Sequence, residues 1–201
     1  NIEPWLEDEH FKLIKGDLKD STVVERAIKG AELVFHLAAN PEVRVGETDP
    51  TVHFQENLTA TFNLLEAMRK SASAKTLVFA STSTVYGETE IFPTPEDYGP
   101  LIPISTYGAS KLGCEALAFS YAHTFELRTL ILRLANVIGP RATHGVLFDF
   151  IKKLKANPGR LEILGDGTQK KSYLDIEDCV GAILYATNNF LERGDRTDVY
   201  N

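Results

Sequence analysis

The sequence predicts an α/β protein built on a doubly wound parallel sheet, and two patterns lead to that prediction. Short apolar segments alternate with amphipathic helical segments through the first two thirds of the chain. The apolar segments are flanked by polar turns, which is typical of strands buried in a sheet covered on both faces. In such sheets ligands bind beyond the carboxyl ends of the strands, so the residues that follow each strand are the candidates for function.

The elements follow in order along the chain. Four apolar segments are predicted strands: 11–18, 31–39, 75–81 and 128–139. Five amphipathic segments are predicted helices: 21–30, 50–71, 104–125, 145–159 and 176–194. Residues 161–175 are a predicted strand, turn and strand, and the last residues lie in a further strand. Ser21 is the predicted N-cap of the first helix. The apolar face of the second helix is predicted to consist of Phe54, Leu58, Leu65 and Met68.

Charge and composition exclude several classes of protein. The net charge of −7 and the absence of any basic run longer than two residues argue against a nucleic-acid partner. The apolar run 129–139 is interrupted by Arg133 and is too short to span a membrane. Cys114 and Cys179 have no metal-type spacing, as expected of a reducing compartment. We therefore expect a cytoplasmic protein with no metal, no nucleic acid and no membrane partner.

Tyr107 and Lys111 are the first pair that could do chemistry. A spacing of four places them one turn apart on the same face of the third predicted helix. A free phenol titrates near ~10, and a nearby ammonium favours the phenolate, which could then take a proton from a sugar or alcohol hydroxyl. The same spacing arises by chance on exposed helices, so the pair alone leaves a solvated helix turn open.

Two loops that follow predicted strands supply further candidates. The Ser/Thr cluster 81–87 comes directly after a strand, where hydroxyls can hydrogen-bond a substrate oxygen. Its alternative is a turn that satisfies its own backbone. The segment 36–40 has two small residues after a strand, where a bulky side chain would block a flat ligand; its alternative is tight helix packing.

Three other reactive side chains are expected to be structural. His36 is predicted to pack at a strand end, and Cys114 to be a small buried residue. His144, which could touch a substrate, is predicted at the entry of the helix 145–159.

Together these motifs resemble the extended short-chain dehydrogenase/reductase superfamily. Within it the chain is similar to NAD-dependent epimerases and dehydratases of nucleotide sugars, most closely those like UDP-glucose (UDP-galactose) 4-epimerase. The resemblance runs from about Phe11 to Asn201. Its motifs are "GDL" (16–18), "HLAA" (36–39), Asn57, "STSTVYG" (81–87), "YGASK" (107–111), "LRLANVIGPR" (132–141) and "GDGTQKKSYLDIEDC" (165–179).

The resemblance implies a Rossmann-like doubly wound parallel sheet without its first strands and Gly-rich turn, plus part of a smaller substrate-binding region. Residues 1–138 would be a partial NAD-binding domain, 139–175 a partial substrate-binding region, and 176–201 a helix and strand that return to the first domain. Family members usually dimerise through the long helices, here around 50–70 and 104–125, so a homodimer is expected by analogy.

The resemblance also implies a role for individual residues. Tyr107 would be the catalytic base and acid, Lys111 would hold the nicotinamide ribose and lower the tyrosine pKa, and Thr82 would hydrogen-bond the sugar hydroxyl. The nucleotide-sugar phosphates would be contacted by Asn136 and Lys171. The remaining cofactor contacts are implied for Asp17, Leu18, Leu37, Ala38, Ala39, Asn57 and Ser81.

The chain departs from the family pattern in three places. It has no Gly-x-x-Gly-x-x-Gly turn to hold the pyrophosphate, so we expect an internal fragment of a larger enzyme with little activity alone. Ser83 and Thr84 stand where 4,6-dehydratases have an Asp-Glu pair, which argues against dehydration. Lys171-Ser172 stands where 4-epimerases commonly have Arg-Asp, which replaces a bidentate fork by a point charge.

The activity expected is NAD-dependent epimerisation of a nucleotide sugar, UDP-glucose/UDP-galactose at C4, through a 4-keto intermediate. Two alternatives remain. One is a sugar-nucleotide reductase or other oxidoreductase of the same superfamily, which would consume external reductant. The other is a non-catalytic nucleotide-binding protein that keeps the fold without the chemistry.

Overall fold

The computed structural model describes residues 2–143, 145–168 and 170–201. Asn1, His144 and Gln169 lie outside the described residues, and so does the prediction that His144 stands at the entry of the helix 145–159. The chain divides into two compact units, Asn1–Arg133 with Phe190–Asn201, and Leu134–Asn189. The three-part division made from the sequence stays a prediction.

The larger unit is organised around a four-stranded sheet. Its strands are β1 Leu33–His36, β2 Thr76–Thr82, β3 Arg128–Leu134 and β6 Thr197–Tyr200. They lie side by side in that order, and the pairs β1–β2 and β3–β6 are parallel. β2 and β3 are apolar and buried along most of their length, as expected for strands between helical layers. The prediction of a Rossmann-like parallel α/β fold is confirmed.

Helices supply the connections between these strands. They are α1 Ser21–Ala27, α2 Val45–Thr48, α3 Thr51–His53, α4 Ala60–Lys70 and α5 Thr106–Phe125. A π-helical stretch, Phe54–Thr59, joins α3 to α4, and 3₁₀ turns lie at Glu3–Trp5 and Ser83–Tyr86. The core of this unit joins α1, α4, α5 and the sheet through fully buried side chains such as Leu65, Met68, Phe79, Leu127 and Ile131.

The smaller unit has its own two-stranded parallel sheet. β4 Asn136–Ile138 pairs with β5 Tyr173–Asp175. α6 Val146–Ala156 lies between these strands in sequence, and α7 Ile176–Arg193 follows β5. Gly139 packs directly against Ile176, and a side chain at position 139 would overlap it. The helices predicted at 145–159 and 176–194 are confirmed.

Several local predictions were wrong, and each has a physical reason. Residues 11–18 form no strand, because a strand requires a paired neighbour and no described strand lies beside them. Residues 161–168 and 170–172 are likewise irregular, so β5 is what the described residues show of the predicted strand pair. The segment 128–139 is two strands in different sheets, separated at Ala135.

Two helix details also differ from the prediction. Asp20, not Ser21, is the N-cap of α1, because its carboxylate accepts hydrogen bonds from the amides of Thr22 and Val23. Phe54 is 61% exposed, because the π-helical stretch that begins there alters the helical periodicity and takes it off the buried face.

Among the described helices, none combines the length and apolarity needed to cross a bilayer.

The turn after the Ser/Thr cluster depends on Gly87. This residue has φ +70° and ψ −138°, a conformation that residues with a side chain rarely adopt. A Cβ at this position would overlap the carbonyl oxygen of Ile102, so the backbones of 87 and 102 approach as closely as a glycine allows. This contact closes the base of the loop between the 3₁₀ turn and α5.

We expect Gly87→Ala to lower the free energy of unfolding by about 2–4 kcal/mol, from backbone strain and overlap with Ile102 together. Urea denaturation followed by circular dichroism measures this. Gly181→Ala is the control, because Gly181 lies inside α7 with open space around it, and alanine there should be neutral or stabilising by up to about 1 kcal/mol. Equal stability of the two variants would contradict the assigned role of Gly87.

Candidate active site

The first turn of α5 carries Tyr107 and packs against the Ser/Thr cluster. Ser105 is the N-cap, and its hydroxyl accepts a hydrogen bond from the Gly108 amide at 3.0 Å. A Cβ on Gly108 would lie 2.8 Å from the Thr84 carbonyl oxygen, so glycine permits the close approach of α5 to the 3₁₀ turn. Thr82 and Tyr107 are thereby brought close enough for the Thr82 hydroxyl to lower the pKa of the Tyr107 phenol.

The Thr82 hydroxyl is oriented as a donor. Its oxygen accepts hydrogen bonds from the Thr84 amide and the Thr84 hydroxyl, both at 3.2 Å. These two bonds use the lone pairs of the oxygen, so the Thr82 proton is left to donate. The phenol oxygen of Tyr107 is its described acceptor, and a donor to that oxygen favours the phenolate.

The pKa of Tyr107 is raised above 10.0 in the free chain. Burial of the half-buried phenol is the main cause, because removal of water disfavours the charged phenolate, and the Thr82 hydroxyl opposes this effect only in part. At neutral pH the phenol of the free chain is therefore protonated. The lowering of this pKa that the resemblance implies for Lys111 stays a prediction.

Lys111 is a buried amine without a hydrogen-bonding partner among the described residues. Its side chain is 2% exposed, and its Nζ lies 4.0 Å from the centroid of the Phe79 ring, a cation–π contact. Burial lowers the pKa of Lys111 from 10.5 to about 8, against smaller opposing effects of Cys114 and Glu115. The amine is thus mainly protonated at pH 7, with its N–H groups unsatisfied by protein acceptors.

Asn57 fixes the loop that follows β1. It lies in the π-helical stretch, a feature frequent at functional sites, and is 2% exposed. Its Oδ1 accepts from the Asn40 amide at 2.7 Å, and its Nδ2 donates to the Asn40 carbonyl at 3.3 Å and to Ser110 Oγ at 3.0 Å. Both amide donors are therefore used by the protein. The cofactor contact implied for Asn57 stays a prediction, and the structure shows it holding the loop 37–40 to α5.

Ser81 faces a buried ion pair. Its hydroxyl donates a short hydrogen bond to Glu115 Oε1, and Glu115 pairs with Arg133 at 2.9 Å between Nη2 and Oε2. All three residues are at most 6% exposed. Because the Ser81 proton is committed to Glu115, Ser81 can only accept a hydrogen bond from a ligand. Its predicted place along the cofactor is not tested by these contacts.

Histidines close to the site are structural in their contacts. His36 is buried beside Thr61, with 2.9 Å between Nε2 and Oγ1, and burial together with Lys111 lowers its pKa to about 4. His53 lies between Thr106 Oγ1 at 2.8 Å and the Glu42 carbonyl at 3.1 Å. The carbonyl requires a proton on Nε2, so Nδ1 accepts from Thr106, and His53 joins the loop after β1 to the start of α5.

The other residues implied to contact the cofactor, at 17–18 and 37–39, lie in two surface loops. The Asp17 carboxylate accepts from the Lys19 amide at 2.8 Å, and Asn63 Nδ2 donates to the Leu18 carbonyl at 3.1 Å. Leu37 is 62% exposed, Ala38 is exposed and Ala39 is half-buried. The positions at 37–39 leave the backbone accessible, and their contacts with a cofactor stay a prediction.

Asn136 and Lys171 belong to the smaller unit. Asn136 begins β4, and its Nδ2 donates to the Ser172 carbonyl at 3.1 Å. This bond brings Asn136 beside the segment that carries Lys171. Their role in binding phosphates stays a prediction.

Sequence reasoning did not identify Glu115 and Arg133 as part of this site. A signal existed for both: Arg133 interrupts an apolar strand, and Glu115 lies one turn after Lys111 on the same helix. Charged residues inside buried elements require partners, so the two could have been paired.

Comparison with known proteins gives a consistent result. The family model described as "NAD dependent epimerase/dehydratase family" matches residues 2–201. An uncharacterized UDP-glucose epimerase, YtcB of Bacillus subtilis (strain 168), is 36% identical over 187 residues, which is 91% of this chain and 57% of that protein.

Two solved structures are similar in both sequence and fold. A UDP-galactose 4-epimerase is 49% identical with a TM-score of 0.83, covering 92% of this chain and 59% of that one. A UDP-glucuronic acid 4-epimerase from Bacillus cereus, solved with UDP-glucuronic acid and NAD, is 33% identical with a TM-score of 0.84, covering 92% and 58%. The chain thus spans less than two thirds of the length of the proteins it matches.

The buried amine of Lys111 carries a stability cost that depends on pH. Its pKa is depressed in the folded state, so below about pH 8 the folded protein pays for a buried charge that the unfolded chain keeps in water. We expect Lys111→Met to raise the free energy of unfolding at pH 7 by roughly 2 kcal/mol. The gain should shrink as pH rises from about 8 towards 10.5, because the folded wild type then loses the charge first.

Urea denaturation at pH 7 and pH 10 measures this gain. Lys29→Met is the matched control, since Lys29 is exposed, and its effect should stay within about 0.5 kcal/mol at both values. A Lys111→Met variant that is less stable than wild type at pH 7 would show that the amine is not an electrostatic cost.

Proposed function

The chain belongs to the NAD-dependent epimerase/dehydratase family, and from that premise we propose that its full-length protein interconverts UDP-glucose and UDP-galactose at C4. The observation that carries the proposal is the contact between the Tyr107 and Thr82 hydroxyls, one helical turn from a buried lysine amine. The 49% identity to a UDP-galactose 4-epimerase supports this pair of hexoses over others.

The described residues fit the nicotinamide-ribose end of NAD, the cofactor of this family. The Lys111 side chain is 2% exposed, and its N–H groups have no protein acceptor among the described residues, so they are available to donate to a ligand. The two hydroxyls of a ribose would supply acceptors. Lys111 would therefore hold the ribose, and bound NAD would accept the hydride of C4 and return it.

The chain's own residues would handle the proton. The Thr82 proton, which is directed at Tyr107 in the free chain, would instead hydrogen-bond the 4-oxygen of a bound sugar while Tyr107 takes the proton of the same hydroxyl. The positive charge of Lys111 favours the phenolate form that this step requires. After the 4-keto sugar turns over, Tyr107 returns the proton to the oxygen at C4, now with inverted configuration.

Epimerisation fits the Ser/Thr cluster better than dehydration. Loss of a hydroxyl from the neighbouring carbons needs an acid to protonate the leaving group. Ser83 and Thr84, which directly follow Thr82, are hydroxyl residues, and the Thr84 hydroxyl is engaged with Thr82. This arrangement supports a reaction in which the sugar keeps all of its hydroxyl groups.

The same assay of the full-length protein distinguishes a related substrate and two other functions. UDP-glucuronic acid is the second substrate to offer, because a similar 4-epimerase was solved with it. Net consumption of external NADPH would identify a reductase instead. Binding of NAD and UDP-hexose without turnover would identify a non-catalytic nucleotide-binding protein.

We expect Tyr107→Phe in the full-length protein to abolish interconversion of UDP-glucose and UDP-galactose, by about 10³-fold or more, because it removes the transferable proton. The affinity for UDP-hexose should change little, since the ring remains. Turnover is measured by separation of the two sugar nucleotides, and affinity by calorimetry.

Tyr185→Phe is the control for the loss of a phenol hydroxyl, because Tyr185 is 71% exposed and should leave turnover unchanged. Turnover of Tyr107→Phe within about 3-fold of wild type would reject Tyr107 as the base.

The dimer expected by analogy stays a prediction. Phe54, Phe62 and Phe125, on the helical segments proposed to form it, are 61%, 44% and 40% exposed, so apolar surface is present for such a contact.

A further inference from the structure

Thr82 and Tyr107 lie on different elements, so something must fix the distance between their hydroxyls. Thr82 ends β2 and Tyr107 is the second residue of α5, and the chain between them includes the 3₁₀ turn and the irregular loop 87–105. Such a loop has no strand or helix of its own to hold it. Its position therefore depends on the side chains that bind it.

Arg133 is bound on every side of its guanidinium. Nε donates to Glu115 Oε1 at 3.2 Å and to Oε2 at 3.3 Å, and Nη2 donates to Oε2 at 2.9 Å. Nη1 donates to the Tyr86 hydroxyl at 2.8 Å and to the Glu96 carbonyl at 3.1 Å. The guanidinium carbon also lies 4.8 Å from the centroid of the Tyr86 ring.

One side of this arrangement reaches the end of β2. Glu115 accepts the hydroxyl proton of Ser81, the residue directly before Thr82. Glu115 itself is on α5, two turns after Tyr107. The Arg133–Glu115 pair and Ser81 therefore join the strand that ends in Thr82 to the helix that carries Tyr107 in its first turn.

The other side reaches the loop 87–105. The Tyr86 hydroxyl, which accepts from Arg133, donates to Asn201 Oδ1 at 2.6 Å. Asn201 in turn binds the loop twice: Nδ2 donates to the Thr94 carbonyl at 2.7 Å, and its backbone amide donates to the Glu96 carboxylate at 3.0 Å. The middle of the loop is thus tied to β3 and to the end of β6.

Burial makes this arrangement rigid. The side chains of Arg133 and Glu115 are 5% and 2% exposed, and a charge taken out of water at such a position must keep its partners. Movement of the loop would leave buried donors of Arg133 unsatisfied, which costs more than loss of an exposed hydrogen bond. The polar groups around Arg133 therefore favour one arrangement over nearby ones.

We propose that Arg133 is a positioning residue for the reaction, which sets the place of Thr82 through Glu115 and Ser81 and the place of Tyr107 through Tyr86, Asn201 and the loop 87–105. Residues Ser81, Tyr86, Glu96, Glu115, Arg133 and Asn201 constitute the Arg133 network. The inference rests on the proposed function, because it assigns the network to the same two hydroxyls.

The test uses Tyr86→Phe in the full-length protein, because Arg133→Lys breaks a buried bidentate pair and can fail to fold. Tyr86→Phe keeps the ring over Arg133 and removes only the hydroxyl that joins Arg133 to Asn201. Tyr98→Phe is the matched control. Tyr98 lies on the loop 87–105 and packs edge-on against Tyr86 with 6.0 Å between the ring centroids, and its hydroxyl has no partner among the described residues.

Two readouts separate positioning from general stability. For Tyr86→Phe we expect kcat to fall by about 10-fold with KM for UDP-hexose within about 3-fold, because displaced groups lose rate more than substrate affinity. We expect amide hydrogen exchange to accelerate by about 10-fold at 88–98 and also in the first turn of α5, 106–110. Tyr98→Phe should change neither. Asn201→Ala should match Tyr86→Phe, and the double variant should be no worse than the poorer single variant.

Each result of the kinetic and hydrogen-exchange measurements supports or overturns the inference. Unchanged exchange at 106–110 in Tyr86→Phe overturns the inference, whether or not the wild type turns over UDP-hexose. Faster exchange with unchanged kcat in an active wild type shows that the network holds the loop without positioning the reaction, and also overturns it. A wild type that turns over no nucleotide sugar rejects the proposed function, and exchange at 106–110 then decides alone whether the network fixes Tyr107.

Discussion

The buried ion pair between Arg133 and Glu115 is the interaction on which the rest of this site depends. It joins the central strand β3 to the helix that carries Tyr107, deep in the larger unit, where few waters can replace a lost partner. Buried ion pairs contribute little net stability compared with apolar packing, but they penalise alternative arrangements strongly. The pair is therefore better understood as a means of fixing geometry than as a source of stability.

Two other residues of the candidate site also lie in environments that are unfavourable for stability. Lys111 is a buried cation supported by a ring face and by no protein acceptor among the described residues, and Tyr107 is a phenol whose burial disfavours its reactive form. Both are unfavourable in the free chain and become useful only when a ligand supplies acceptors and charge. Unfavourable environments of this kind are tolerated where the surrounding core is well packed, as it is around β2 and α5.

The supporting contacts extend the site well beyond the residues that would touch a substrate. Asn57 and His53 hold the loop after β1 to α5 through the Asn40 and Glu42 backbones, Asn201 holds the loop before α5, and Thr84 orients the Thr82 hydroxyl. Each of these contacts joins segments that are distant in sequence. Accurate placement of reacting groups depends on such supporting residues because small displacements of a hydroxyl change reaction rates by large factors.

The sequence by itself determined the parallel α/β class and the long helices, and it singled out Tyr107, Lys111 and Thr82 as candidate site residues, because apolar periodicity and motif order are local properties of the chain. The tertiary structure alone decided that residues 11–18 form no strand, since strands exist only by pairing with a neighbour. It also decided that burial raises the pKa of Tyr107, and that Arg133, Glu115 and Asn201 join one network. Desolvation and long-range side-chain contacts depend on what surrounds a residue in space, which no spacing along the chain encodes.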